Sequence, residues 1–205
     1  TLRMARSRSG QCWIAHLQCD SLGSMNAIPK LKPGEGLTID EFLAFVASRP
    51  QGERWELIEG VAVMNPAPIE WHQVICVNVA TFLMAQKRRT GATWLPLLGV
   101  GTQVPLSPKS LPQPDVFVKE GVATDNSVTA DALVIFEVLS KSNSKADQAW
   151  RRKVYASGPN CQHYVTVSLK RERKRRKLNE APELAALGLA LPVVEIYRYT
   201  PFGEA

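Results

Sequence analysis

With 205 residues, 45% of them hydrophobic and 21% charged, the chain is long enough for one domain with a sizeable core and has the balance of a globular protein. No apolar run approaches the roughly 20 residues that span a bilayer, so no membrane segment is expected. Net charge is +6, and the run 170–177 (K-R-E-R-K-R-R-K) holds seven basic residues and one acid, which leaves the remainder balanced.

The first two dozen residues carry Arg3, Arg6 and Arg8 without a sustained apolar stretch, and are not expected to act as a secretory signal. Cys12, His16 and Cys19 stand close together, but the group lacks a fourth ligand and a C-x-x-C, so a structural zinc site is not expected there. The scattered cysteines, at 12, 19, 76 and 161, fit a reducing, cytoplasmic setting. Residues 24–36 are rich in Pro, Gly and Lys and read as an arm. The expected division is therefore an irregular extension over 1–36, in which Met25 marks a plausible start, and one domain over 37–205.

Thr38 followed by Glu41 has the spacing of a capping box and opens a helix that Pro50 and Gly52 end. R-W-E-L-I-E-G-V-A-V-M predicts a hairpin turning at Glu59-Gly60. A broad apolar face over 69–89, closed by Lys87, Arg88, Arg89 and Gly91, predicts a long helix; Cys76 within it reads as a small core residue. Strands are expected at 93–98, 101–106, 115–119 and 132–139, the last a nearly continuous apolar run suited to burial on both faces. A second helix over 146–156 leads to a strand at 163–168. Beyond the basic run, a short helix at 182–189 and a final strand at 193–199 are expected. Helix, three strands, helix, strand implies an α/β fold with a mixed central sheet.

Within this frame Glu137 interrupts the apolar run A-L-V-I-F-E-V-L, and a buried carboxylate needs a partner or a metal. Asp115 opens the neighbouring strand, and Lys153 lies on the helix that follows. Two acids on adjacent strands with a lysine nearby are the minimum set for divalent-metal hydrolysis of a phosphodiester: the acids give hard oxygen ligands to Mg²⁺, and the lysine acts on water or phosphorus. The plainer readings are that Glu137 pairs with a helix cation and that Asp115 only starts a strand. Both pairs of readings stand at the level of sequence.

The motifs E-R-W-E-L-I-E-G, N-P-A-P-I-E-W-H, Q-P-D-V-F-V, E-V-L-S and the trailing Asp147, Lys153, Tyr155 resemble, in order, the Uma-type restriction-endonuclease family, a branch of the PD-(D/E)XK nuclease superfamily. The resemblance covers about 38–168. It implies a restriction-endonuclease-like core over about 54–168, with an N-terminal helix and hairpin, a basic loop at 170–177 and a C-terminal extension. It also implies Asp115 and Glu137 as metal ligands and Lys153 as the catalytic lysine. The plain pattern puts that lysine two residues after the glutamate, where this chain has Leu139, so the amine would reach in from the helix. By the same resemblance Glu56 adds a third carboxylate, or pairs with Arg54 or a helix cation. His72 orients water or touches phosphate, or else caps and packs its helix. Ser140 and Asp147 shape the turn into the second helix, or Asp147 instead holds Lys153 or Arg151. The family's usual Asp is Glu59 here, and its Y-W-L-V-D-P strand end is H-Y-V-T-V-S.

The functional expectation is a Mg²⁺-dependent DNA endonuclease, Mn²⁺ substituting, acting as a homodimer because cutting both strands takes two sites. The basic run would hold phosphates. The alternatives are a nucleic-acid-binding or regulatory module that keeps the fold without turnover, and an interaction domain whose basic loop is incidental.

Overall fold

The computed structural model describes residues 36–140, 143–169 and 180–203, together with the backbone of two strands, β1 (Leu2–Arg6) and β2 (Trp13–Leu17). The basic run at 170–177, Cys12, Cys19 and the side chain of His16 lie outside the described residues.

Helix α1 (Ile39–Ala47) begins in the expected capping box: Thr38 Oγ1 accepts from the Glu41 N–H, and the Glu41 carboxylate accepts from the Thr38 N–H. A hairpin of β3 (Arg54–Ile58) and β4 (Val61–Asn65) follows. Its two turn residues, Glu59 and Gly60, both have positive φ, 49° and 85°, the conformation that matches strand twist in a two-residue turn. Helix α2 (Glu70–Thr90) ends where Gly91, at φ 69°, donates its N–H to the Lys87 carbonyl.

Next come β5 (Leu95–Leu98), β6 (Gly101–Thr102), β7 (Val116–Lys119), β8 (Val128–Thr129), β9 (Ala132–Leu139), α3 (Lys145–Tyr155) and β10 (His163–Ser168). The main sheet runs β1-β2-β10-β9-β7-β5. β10 is parallel to β9 and to β2, and the remaining pairs are antiparallel, so the sheet is mixed as expected. All eight residues of β9 are buried. One face carries Val134, Phe136 and Val138 against Ile75, Val79 and Leu83 of α2. The other carries Ile135 against Val154 and Tyr155 of α3.

The structure departs from the sequence reading in four places. The expected irregularity of 1–36 does not hold for β1 and β2, which extend the main sheet. The strand expected at 101–106 is reduced to β6, which pairs with β8 outside that sheet. The segment 182–189 is not a helix but two short strands, β11 (Glu183–Leu184) and β12 (Leu189–Ala190), joined by a single 3-10 turn. The final strand is instead a helix, α4 (Val193–Tyr197). Its buried residues, Val193, Ile196 and Tyr197, have helical spacing and pack on α2, whereas their β-branched and aromatic character alone reads as strand.

Asn78 of α2 fixes the end of α4 by donating to the carbonyls of Ile196 (3.1 Å) and Arg198 (2.6 Å). Helix-end carbonyls need such partners. Asn78→Ala is expected to lower stability by about 1–2 kcal/mol, read as a reduced urea midpoint at unchanged slope.

Candidate active site

The register of β7 and β9 sets Val116 opposite Phe136. β7 begins one residue after Asp115, which brings Asp115 near enough to Glu137 for their charges to interact. Asp115 lies in the bend that precedes β7. Its Oδ2 accepts from the Val138 backbone N–H at 2.7 Å and lies 3.2 Å from His72 Nε2 in the first turn of α2. His72 Nδ1 in turn faces Cys76 Sγ at 3.6 Å.

Glu137 points to the α3 side, where Arg151 takes up three carboxylates. Nη2 donates to Glu56 Oε2 at 2.6 Å and Nη1 to Glu56 Oε1 at 3.2 Å; Nη1 also reaches Glu137 Oε1 at 3.4 Å, and Nε reaches Asp147 Oδ1 at 3.2 Å. Tyr155 donates its hydroxyl to Glu137 Oε1 at 3.0 Å. Asp147, Arg151 and Tyr155 are spaced four residues apart, so α3 presents all three on one face. The cluster is closed from the hairpin. Leu57 of β3 bridges to Leu111, and Gln113, standing between Pro112 and Pro114, donates its N–H to Glu56 Oε1 at 2.6 Å. Glu56 thus ties the hairpin to α3 and to the loop that delivers Asp115.

Burial raises the Glu137 carboxyl well above the usual carboxylate range; Arg151 opposes the shift, and the nearby Asp115 and Glu56 add to it. For Arg151, burial works against the charge, but Glu56 and Glu137 outweigh it and hold the guanidinium above its ordinary value. Tyr155 is pushed up by burial and by Glu137, so it stays a neutral donor. The Cys76 thiol is raised by burial first, then by Asp115 and Glu137.

Of the residues expected from sequence, Asp115, Glu137, Glu56 and His72 converge on this one end of the sheet. Lys153 does not join them: it is exposed, two residues and so about 200° around α3 from Arg151. The cation inside the cluster is Arg151, which the sequence reading named only as a partner of Asp147. The signal that picks it out is its four-residue spacing from both Asp147 and Tyr155, which Lys153 lacks. Ser144 caps α3 by accepting from the Asp147 N–H, while Ser140 donates to Asn143, whose amide reaches Asp147.

The sequence profile of the Uma2 family, described as "Putative restriction endonuclease", matches residues 39–179. Among solved structures, the chain is similar to a protein of Anabaena variabilis described as a putative nuclease belonging to DUF820. The two share 16% identity and a TM-score of 0.60, over 78% of this chain and 97% of the other. That likeness shows a common fold. No curated protein matches the chain.

Removing the shared cation should expose the strain of the acids. Arg151→Met is expected to lower stability by about 3–5 kcal/mol, with part of the loss recovered when Glu56→Gln is added. The loss should shrink as pH falls from about 8 towards 5. Glu137, raised in the folded state, takes up a proton there before it would in the unfolded chain, which favours the fold at lower pH. Urea unfolding of the single and double variants across that range checks both expectations.

Proposed function

The chain belongs to the Uma2 family, and on that premise we propose that it hydrolyses DNA phosphodiester bonds with a divalent cation held by Asp115 and Glu137. The observation that carries this reading is the proximity of these two acids at one end of β7 and β9, beside a cluster in which Glu56, Glu137 and Asp147 meet the guanidinium of Arg151. Carboxylates crowded in this way suit a hard divalent ion such as Mg²⁺, for which Mn²⁺ can substitute. When bound, the ion supplies activation of water and stabilises charge at phosphorus.

The protein's own groups have separable tasks. The Val138 N–H and His72 orient Asp115, and Tyr155 and Arg151 orient Glu137. Arg151 takes the place that the resemblance gives to Lys153. An arginine stays charged, so it can hold negative charge on phosphate oxygens or carboxylates but cannot serve as a base. Glu56 is committed to Arg151 and to the Gln113 N–H, which favours one metal over two. The basic run 170–177 supplies phosphate contacts, and a homodimer supplies the second site for a double-strand cut. The competing reading, a nucleic-acid-binding module without turnover, is favoured by one observation: Arg151 already contacts Glu137 and so meets part of its charge without an ion.

Supercoiled plasmid with Mg²⁺ or Mn²⁺ separates the two. Cleavage is expected from the native chain and is expected to vanish in Glu137→Ala and Asp115→Asn, with DNA affinity kept. Lys153→Ala is expected to change the rate by less than about twofold, as befits an exposed side chain. Absence of metal-dependent cleavage in the native chain would leave the binding module. Charge reversal across 170–177 should weaken DNA binding and flatten its salt dependence. Unchanged binding would remove that run from the interface.

A further inference from the structure

Beside the acid pair, α2 carries His72, which orients Asp115, and Cys76, which has no task in the proposed hydrolysis. His72 and Cys76 are one turn apart on the same helix face and are buried, at 7% and 3% exposure. Asp115 faces them from the β7 bend. His72 Nε2 is 3.2 Å from Asp115 Oδ2, His72 Nδ1 is 3.6 Å from Cys76 Sγ, and one donor atom from each of the three residues lies within 4.8 Å of the other two. Metal–ligand bonds of about 2.0–2.3 Å place the ligands of one tetrahedral ion about 3.3–3.8 Å apart. Asp115 and Cys76 face different nitrogens of the ring and one ion can take only one of these, so a rotation of the His72 or Cys76 side chain is needed to bring the three donors from within 4.8 Å to that spacing.

We infer that His72, Cys76 and Asp115 form a binding site for a transition metal of the Zn²⁺ class, sharing Asp115 with the acid pair. The donor set decides the class. Imidazole nitrogen and thiolate sulfur select borderline ions such as Zn²⁺ or Co²⁺, whereas Mg²⁺ takes oxygen and keeps its waters. Binding displaces the thiol proton to solvent and leaves Cys76 as thiolate. Because Asp115 serves both sets of donors, an ion held by His72 and Cys76 draws it away from Glu137. The inference depends on the nuclease reading only for that consequence, not for the binding itself.

The test is a Co²⁺ titration of the full chain in a Cys12→Ser/Cys19→Ser background, which removes the N-terminal thiols, followed by Zn²⁺ competition. A thiolate-to-cobalt absorption band is expected in the near ultraviolet, absent from Cys76→Ser and undiminished by millimolar Mg²⁺. Zn²⁺ affinity should fall by about tenfold or more in Cys76→Ser and in His72→Gln. Circular dichroism checks that each variant is folded, and His72→Gln, which keeps the thiol, carries the affinity comparison if Cys76→Ser is not. Co²⁺ binding without a thiolate band, or Zn²⁺ affinity unchanged in both variants, would overturn the site. The band is read without DNA, so a plasmid that stays intact counts against the nuclease reading alone. Cleavage with Mg²⁺ in a chain that shows no band counts against this inference alone.

Discussion

A guanidinium buried at 8% exposure, shared among Glu56, Glu137 and Asp147, is the interaction on which the rest of this site depends. None of these acids could sit under α3 without it, because an isolated buried charge is far more unfavourable than a paired one. The planar fork of arginine suits the arrangement better than an ammonium would. Two nitrogens grip Glu56 side by side, which leaves the remaining edges for the other acids. The price is flexibility: a charge this heavily engaged holds the cluster together and has little freedom to follow a reacting group.

The architecture was legible in the sequence wherever local pattern and burial agree. Thr38 and Glu41 announce α1, Gly91 ends α2, and the unbroken apolar run of β9 requires cover on both faces, which α2 and α3 supply. Pattern failed where tertiary packing overrode propensity. Val193, Val194, Ile196 and Tyr197 favour a strand by composition, yet they lie as a short helix because only helical spacing seats three of them on α2. The segment 182–189 shows the opposite: its alanines and leucines favour a helix, but the chain makes a single 3-10 turn before Gly188 reverses it at φ 62°.

At the site, the acids could be read because each breaks an apolar context or opens a strand. The cation could not be read as easily, because 151–153 holds three basic residues in a row and composition treats them alike. Helix geometry decides between them, with Arg151 turned inward beneath Asp147 and Tyr155 while Lys153 faces solvent. Cys76 was correctly read as a buried helix residue. What its spacing could not reveal is that His72, one turn back, meets Asp115.

The clasp between the hairpin and α3 joins positions 95 residues apart in sequence. Contacts so distant form late, once nearer elements have already shortened the intervening loop. A chain emerging during synthesis has both hairpin and Asp115 in place before α3 exists, so its acids wait for the arginine that completes them. A chain in which α3 has not yet docked therefore carries the acids without the cation that pairs them.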